Sequence, residues 1–229
     1  MVSVRPLEIE GYQHESVPNL FFQAKEKASE HLALLLPGKG YPCAGPVLHY
    51  PLLELLDQGI DVLEVDYARR TQIRSWTLEQ AQECALADTR TAYQAITSQQ
   101  KYKQLTLVGK SLGTLVMGEL LASRAFSDPL QAIWLTPILR SAVLCQQICQ
   151  VPIPSLFVIG TADRAYDAER LAEVQQATDG EAVVIPLADH SLDIGTDAHR
   201  SLQAIERVRE AIHGFLARFG QAVREHPAG

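Results

Sequence analysis

A chain of 229 residues, 47% of them apolar and 21% charged, is long enough to bury one sizeable core or two small ones. Its formal net charge of −7 argues against the basic surface that general nucleic-acid binding needs. The opening "MVSVRPLEIEGYQHES" has no basic start followed by an apolar core, so no secretion signal is expected, and runs such as "LALLLP" are too short to cross a bilayer.

Short apolar runs then alternate with longer amphipathic ones. "VRPLEIEGY" and "SVPNLFFQAK" are predicted to pair antiparallel around a Gly/His/Glu turn. "HLALLLPG" is continuously apolar, as a strand buried on both faces should be. "GPVLHYPLLELLDQG" reads as a helix, with Pro46 near its start and Gly59 at its end. "IDVLEVDY" is the next strand, and "TLEQAQECALADTRTAYQAITSQQ" is a long helix opened by Thr77 and Gln80 as a capping box. The pairs "QLTLVG" and "SLGTLVMGELLASRAF", "QAIWLTP" and "ILRSAVLCQQICQ", and "PSLFVIG" and "YDAERLAEVQQATDG" each read as strand then helix. "EAVVIPL" is the last strand, "DAHRSLQAIERVREAIHGFLARFG" a long closing helix, and the tail "QAVREHPAG" should fray.

Six strands alternating with helices predict an α/β fold: a mostly parallel sheet with helices on both faces and the N-terminal antiparallel hairpin at one edge. No linker or repeat interrupts the pattern, so residues 1–229 are read as a single domain. Active sites of such sheets lie beyond the carboxyl ends of the strands, here the loops after Leu36, Val65, Val108, Leu135, Ile159 and Leu187. The cysteines, Cys43, Cys84, Cys145 and Cys149, have no metal-ligand spacing and are expected as buried or half-buried thiols in the cytoplasm.

"LTLVGKSLGTL", residues 105–115, supports two chemistries. A phosphate-binding P-loop needs a glycine five residues before its Gly-Lys, yet that position is Gln104, at the start of the strand. Only Gly109 separates strand from Lys110, so no loop is left to wrap a phosphate. The same residues satisfy a Gly-x-Ser-x-Gly nucleophile elbow, in which Gly109 and Gly113 relieve crowding on either side of Ser111. Gly118 and Ala122 extend a small-residue stripe that suits a helix packed close to the sheet. A nucleophilic serine needs a base, and the base needs an orienting carboxylate, in the chain order Ser, Asp or Glu, His. Asp163 in "TADRAYD" and His190 in "ADHSLD" fall on loops at the correct edge in that order. Asp167 competes with Asp163 but reads as the cap or first-turn acid of the next helix, and Asp189 and Asp193 as surface or loop-fixing groups. His199 and His213 compete with His190 but sit on the closing helix, and His226 in the tail.

Together "GKSLG", "VIGTADRAYD" and "PLADHSLD" resemble the α/β-hydrolase family over nearly the whole chain, and most of all its small members related to dienelactone hydrolases and short esterases. "LLLPGKGY" resembles the family's oxyanion loop, His-Gly-x-Gly, with Pro37 in place of the histidine. Dienelactone hydrolases use a cysteine nucleophile where this chain has Ser111. Many relatives insert a lid after the strand at "IWLTP"; here "ILRSAVLCQQICQVPI" leaves room for one short helix, so little or no lid is expected.

The elbow makes the N–H of Leu112 one oxyanion donor, and the resemblance makes that of Lys39 the other, with Tyr41 as its competitor. Tyr41 could also line the substrate pocket, and Trp134 could line it or sit in the core. The side chain of Lys110 reads as a solvated charge. The expected function is hydrolysis of a small acyl ester or thioester through Ser111, His190 and Asp163, by a monomer or homodimer needing no cofactor, metal, membrane or nucleic acid. The alternative is a catalytically silent relative that acts by binding a partner.

Overall fold

The computed structural model of the protein describes residues 2–25, 29–126 and 130–225, with side chains up to Arg218. Eight strands form one sheet: β1 (Ser3–Arg5), β2 (Asn19–Gln23), β3 (His31–Leu36), β4 (Asp61–Val65), β5 (Gln104–Lys110), β6 (Leu130–Leu135), β7 (Ser155–Gly160) and β8 (Glu181–Ile185). Their order across the sheet is β1-β2-β4-β3-β5-β6-β7-β8. The pairs from β4 to β8 are parallel, while β1 with β2 and β2 with β4 are antiparallel.

The apolar run in β3 follows from its place between β4 and β5, where Leu32 through Leu36 are fully buried. Even-numbered Leu32, Leu34 and Leu36 face one core and Ala33 and Leu35 the other, because side chains alternate along a strand. The first core is covered by α2 (Leu78–Gln99), α3 (Leu112–Ala122), α4 (Ala142–Gln150) and α5 (Ala168–Thr178). The second is covered by α1 (Pro46–Asp57) and α6 (Ala198–Glu225), which pack on each other. Truncating one such side chain, as in Leu34→Ala, costs about 2–5 kcal/mol by analogy with other cores.

Local signals account for most boundaries. Thr77 and Gln80 form the capping box at the start of α2, and Asp167 caps α5 by accepting from the Arg170 N–H at 3.1 Å. Pro46 occupies the first turn of α1, and Gly59, with φ +77°, follows its end. Only α4, nine residues long, lies between β6 and β7, so no lid is built there.

Four boundaries or packings differ from the sequence reading. β1 is only three residues long, because Pro6 interrupts it, and Leu7 instead gives its N–H to the Asn19 side chain at 2.9 Å. β8 stops at Ile185, ahead of Pro186, and Leu187 is exposed with φ +64°. Beyond Gly113 the stripe of small residues on α3 turns away from the sheet: a Cβ on Gly118 would meet Leu144 and Gln147 of α4, and Ala122 is exposed. The final helix runs through to Glu225, so half of the segment expected to fray is helical, while residues 226–229, including His226, lie outside the described residues. Cys43, Cys84 and Cys145 are buried and Cys149 half-buried, all as free thiols. Among the described residues no helix is long and apolar enough to cross a membrane.

Candidate active site

The elbow forms where β5 runs directly into α3. Ser111 sits between them at φ +53° and ψ −110°, a conformation that costs a non-glycine residue strain. The glycines show what makes so tight a turn possible. A Cβ on Gly113 would lie 2.3 Å from the Leu36 carbonyl oxygen, and one on Gly109 2.8 Å from the Gly113 carbonyl oxygen. Helix and strand therefore approach to backbone contact on both sides of the serine. The Ser111 N–H is held by the Leu135 carbonyl at 3.1 Å, which ties the elbow to β6.

Three side chains from three loops meet here. Ser111 Oγ lies 2.8 Å from His190 Nε2, and His190 Nδ1 lies 2.7 Å from Asp163 Oδ2. An ionised carboxylate can only accept, so the proton of a neutral imidazole belongs on Nδ1, and Nε2 is left to accept from the serine hydroxyl. Asp163 has a side chain only 1% exposed, and its other oxygen accepts the Ala165 N–H at 2.8 Å. The imidazole is 42% exposed and Ser111 is half-buried, so the chain of hydrogen bonds runs from a buried anchor toward the surface.

The loops that carry Asp163 and His190 touch because of Gly160, a residue the sequence reading passed over. A Cβ there would lie 2.0 Å from the Ala188 carbonyl oxygen, and that same oxygen accepts the Ala162 N–H at 3.0 Å. The signal was visible in "VIGTAD": a glycine ending a buried strand marks close approach of another backbone. Asp189 shapes the next turn, accepting the N–H groups of Ser191 at 2.7 Å and Asp193 at 3.1 Å. Of the competing histidines, His213 bonds Glu54 and His199 lies against Gln203, both on α6 and away from the serine.

The turn after β3 closes over the elbow. A Cβ on Gly38 would lie 3.3 Å from Ser111 Cβ, so the turn that carries Lys39 runs close beside the serine. Tyr41 uses its own N–H to bond the Gly38 carbonyl at 3.3 Å, which removes it as a competing donor. Leu112 is the first residue of α3, and such an N–H has no acceptor within its helix. The turn is braced from outside: Tyr67 donates its hydroxyl proton to the Pro37 carbonyl at 2.8 Å, and Lys39 Nζ donates to the Trp76 carbonyl.

Of two further side chains, Trp134 takes the second of its two readings and Lys110 departs from its own. Trp134 belongs to the core: it is fully buried, stacks on Phe157 with centroids 6.1 Å apart, and donates to Ser155 Oγ at 3.2 Å. Lys110 is no solvated charge but 1% exposed, with Nζ 4.4 Å from the centre of the Tyr41 ring. Tyr41 does line a cavity of about 580 Å³, together with Pro46, Ser191, Asp193, Leu202 and Ile205. That cavity opens beside the histidine loop, next to the three hydrogen-bonded side chains rather than beneath them.

No family model matches the chain, and no curated protein sequence matches it. Solved structures do. The chain is similar to Est1E from Butyrivibrio proteoclasticus, in a structure with ferulic acid bound, at 16% identity and a TM-score of 0.71, over 93% of this chain and 98% of that one. It is similar to XC6422 from Xanthomonas campestris, described as an α/β serine hydrolase without a lid, at 17% identity and a TM-score of 0.69, over 95% and 94%. A dienelactone hydrolase from Anabaena variabilis aligns at 17% identity and a TM-score of 0.66, over 91% and 96%. With its parallel sheet, antiparallel edge and helices on both faces, the protein has the lidless α/β-hydrolase fold.

Proposed function

We propose that residues 1–229 form one serine hydrolase domain that cleaves a small acyl ester or thioester through an acyl-enzyme. The observation that carries this reading is the unbroken hydrogen-bond sequence from Ser111 Oγ through His190 to the buried Asp163 carboxylate, at 2.8 and 2.7 Å. A serine used merely as a helix cap would need neither partner, and its side chain makes no capping hydrogen bond.

In this mechanism Ser111 Oγ bonds to the carbonyl carbon of the substrate while its proton passes to His190 Nε2. The Asp163 carboxylate holds the imidazole by Nδ1–H and stabilises the imidazolium that forms. The N–H groups of Leu112 and Lys39 donate hydrogen bonds to the negative charge that develops on the carbonyl oxygen. Collapse of the tetrahedral species breaks the bond to the leaving group, which takes the proton from His190. Water, deprotonated by His190, then releases the acid and restores the serine. No step requires a cofactor.

With one short helix between β6 and β7, the serine faces an open edge, which favours small acyl groups over long lipid chains. The cavity walled by Tyr41, Pro46, Leu202 and Ile205 lies on the histidine side, where the leaving group departs, and its apolar walls suit an aromatic or aliphatic alcohol or thiol portion. The ferulic acid bound to Est1E is a small aromatic acid, in keeping with substrates of this size. Four free thiols suit a reducing cytoplasm.

The test is hydrolysis of p-nitrophenyl esters from acetate to octanoate, and of short acyl thioesters, by wild type and Ser111→Ala. The expected result is turnover of the short substrates that the variant abolishes. Equal rates in both proteins would overturn the reading.

A further inference from the structure

Lys110 stands between Gly109 and Ser111 and has no part in the mechanism above. It is nonetheless among the largest fully buried side chains of the protein. Burying an ammonium is costly, and an apolar residue of the same length would fill the space without that cost. The contacts of Lys110 suggest what is gained. Its Nζ donates to the main-chain carbonyl of His190 at 2.9 Å, across 80 residues of sequence. The same ammonium lies 4.4 Å from the centre of the Tyr41 ring, the residue that walls the cavity. The residue next to the serine thus grips both the backbone of the histidine and the side of the pocket.

We propose that Lys110 is a positioning residue: by clamping the His190 backbone and the Tyr41 ring to the end of β5, it sets the imidazole at reacting distance from Ser111. The inference rests on the serine-hydrolase reading and goes beyond it. The charged groups around the ammonium are the carboxylates of Asp163 and Asp189, which favour its charge, while burial disfavours it more and brings its pKa down to about 8. The facing Tyr41 phenol is itself pushed up by burial and stays neutral in that range. Above about pH 8 the amine can still donate to the carbonyl, but the attraction to the ring is lost.

The experiment compares wild type with Lys110→Met and Lys110→Gln on p-nitrophenyl butyrate from pH 6 to 10, with thermal unfolding measured alongside. The expected result is a Lys110→Met protein that melts no lower than wild type yet has a kcat at least tenfold lower, with KM changed less than threefold. Wild-type kcat should decline above about pH 8, and that decline should be absent from the variant. Lys110→Gln is read on the same criteria and decides the matter if the methionine variant does not fold. A kcat within twofold of wild type in a folded variant overturns the proposal. So does a loss of activity that only tracks a loss of stability in both variants. A wild-type protein with no turnover, and no fluorophosphonate label on Ser111, would instead remove the hydrolase reading and this inference with it.

Discussion

The two edges of the sheet both bury polar side chains, and they use them differently. At the amino edge, His31 Nε2 lies 2.7 Å from Thr106 Oγ1, which accepts from Gln131 Nε2 at 2.8 Å, a short row across β3, β5 and β6. Beside it Asp61 accepts the Ala24 N–H at 2.9 Å and the Tyr102 hydroxyl at 3.4 Å. These groups tie neighbouring strands together in ordinary extended backbone. At the carboxyl edge Ser111, Thr136, Leu187 and Leu192 all have positive φ, between +43° and +64°, and Lys110 buries a charge. Both ends bury polar groups, but the serine in strained backbone stands at the end that carries the candidate chemistry, while at the other end the positive φ of Arg124 and Asp179 only follows the ends of α3 and α5 and the buried polar groups hold the strands in register.

If that division is right, substitutions at the two edges should separate activity from stability. The largest effect is expected from Asp163→Asn, which leaves the shape intact but destroys the preference for Nδ1–H: kcat should fall by about 10⁴-fold with little change in melting temperature. Next is Lys39→Pro, which deletes one proposed oxyanion donor and should lower kcat by about 10²–10³-fold. Lys39→Ala keeps the N–H and should stay within about threefold of wild type, since the side chain points away to the Trp76 carbonyl. Gly160→Ala should come third: its Cβ would meet the Ala188 carbonyl at 2.0 Å and push the two loops apart, and a shift of about 1 Å at the reacting groups costs roughly 10²-fold in rate.

The smallest effect on activity is expected at the amino edge. Burial brings the His31 pKa down from 6.5 to about 4. The unfolded chain therefore binds the extra proton first, so this residue contributes stability above pH 6.5 that is lost as pH falls toward about 4. His31→Gln should flatten the dependence of melting temperature on pH in that window, with esterase turnover at pH 7.5 unchanged. A large loss of turnover would break the division between the edges.

Much of this arrangement is legible in the residues themselves. Buried parallel strands announce themselves as runs such as "LALLL", because neither face can be polar, and the strand–helix alternation then fixes which ends carry the loops. Glycines around Ser111, and acid and histidine on later loops, follow from the demands of one turn and one proton transfer. Lys110 could not be read this way: lysines are seldom buried, and the carbonyl it meets is 80 residues away. Trp134 was ambiguous for the same reason, since its acceptor, Ser155, belongs to the neighbouring strand rather than to any local pattern. Gly160 is legible as a glycine ending a buried strand, but which backbone it admits, the Ala188 carbonyl, is set by how a later loop folds back.

The central claim is that Ser111 is an activated nucleophile, and the most direct test is covalent labelling. Purified protein and its Ser111→Ala variant would be treated with a fluorophosphonate, and the adduct located by mass spectrometry. The expected result is a single adduct on Ser111 in wild type and none in the variant. A folded wild-type protein that takes no label, or takes it equally in the variant, would contradict the account and leave a partner-binding role as the better reading.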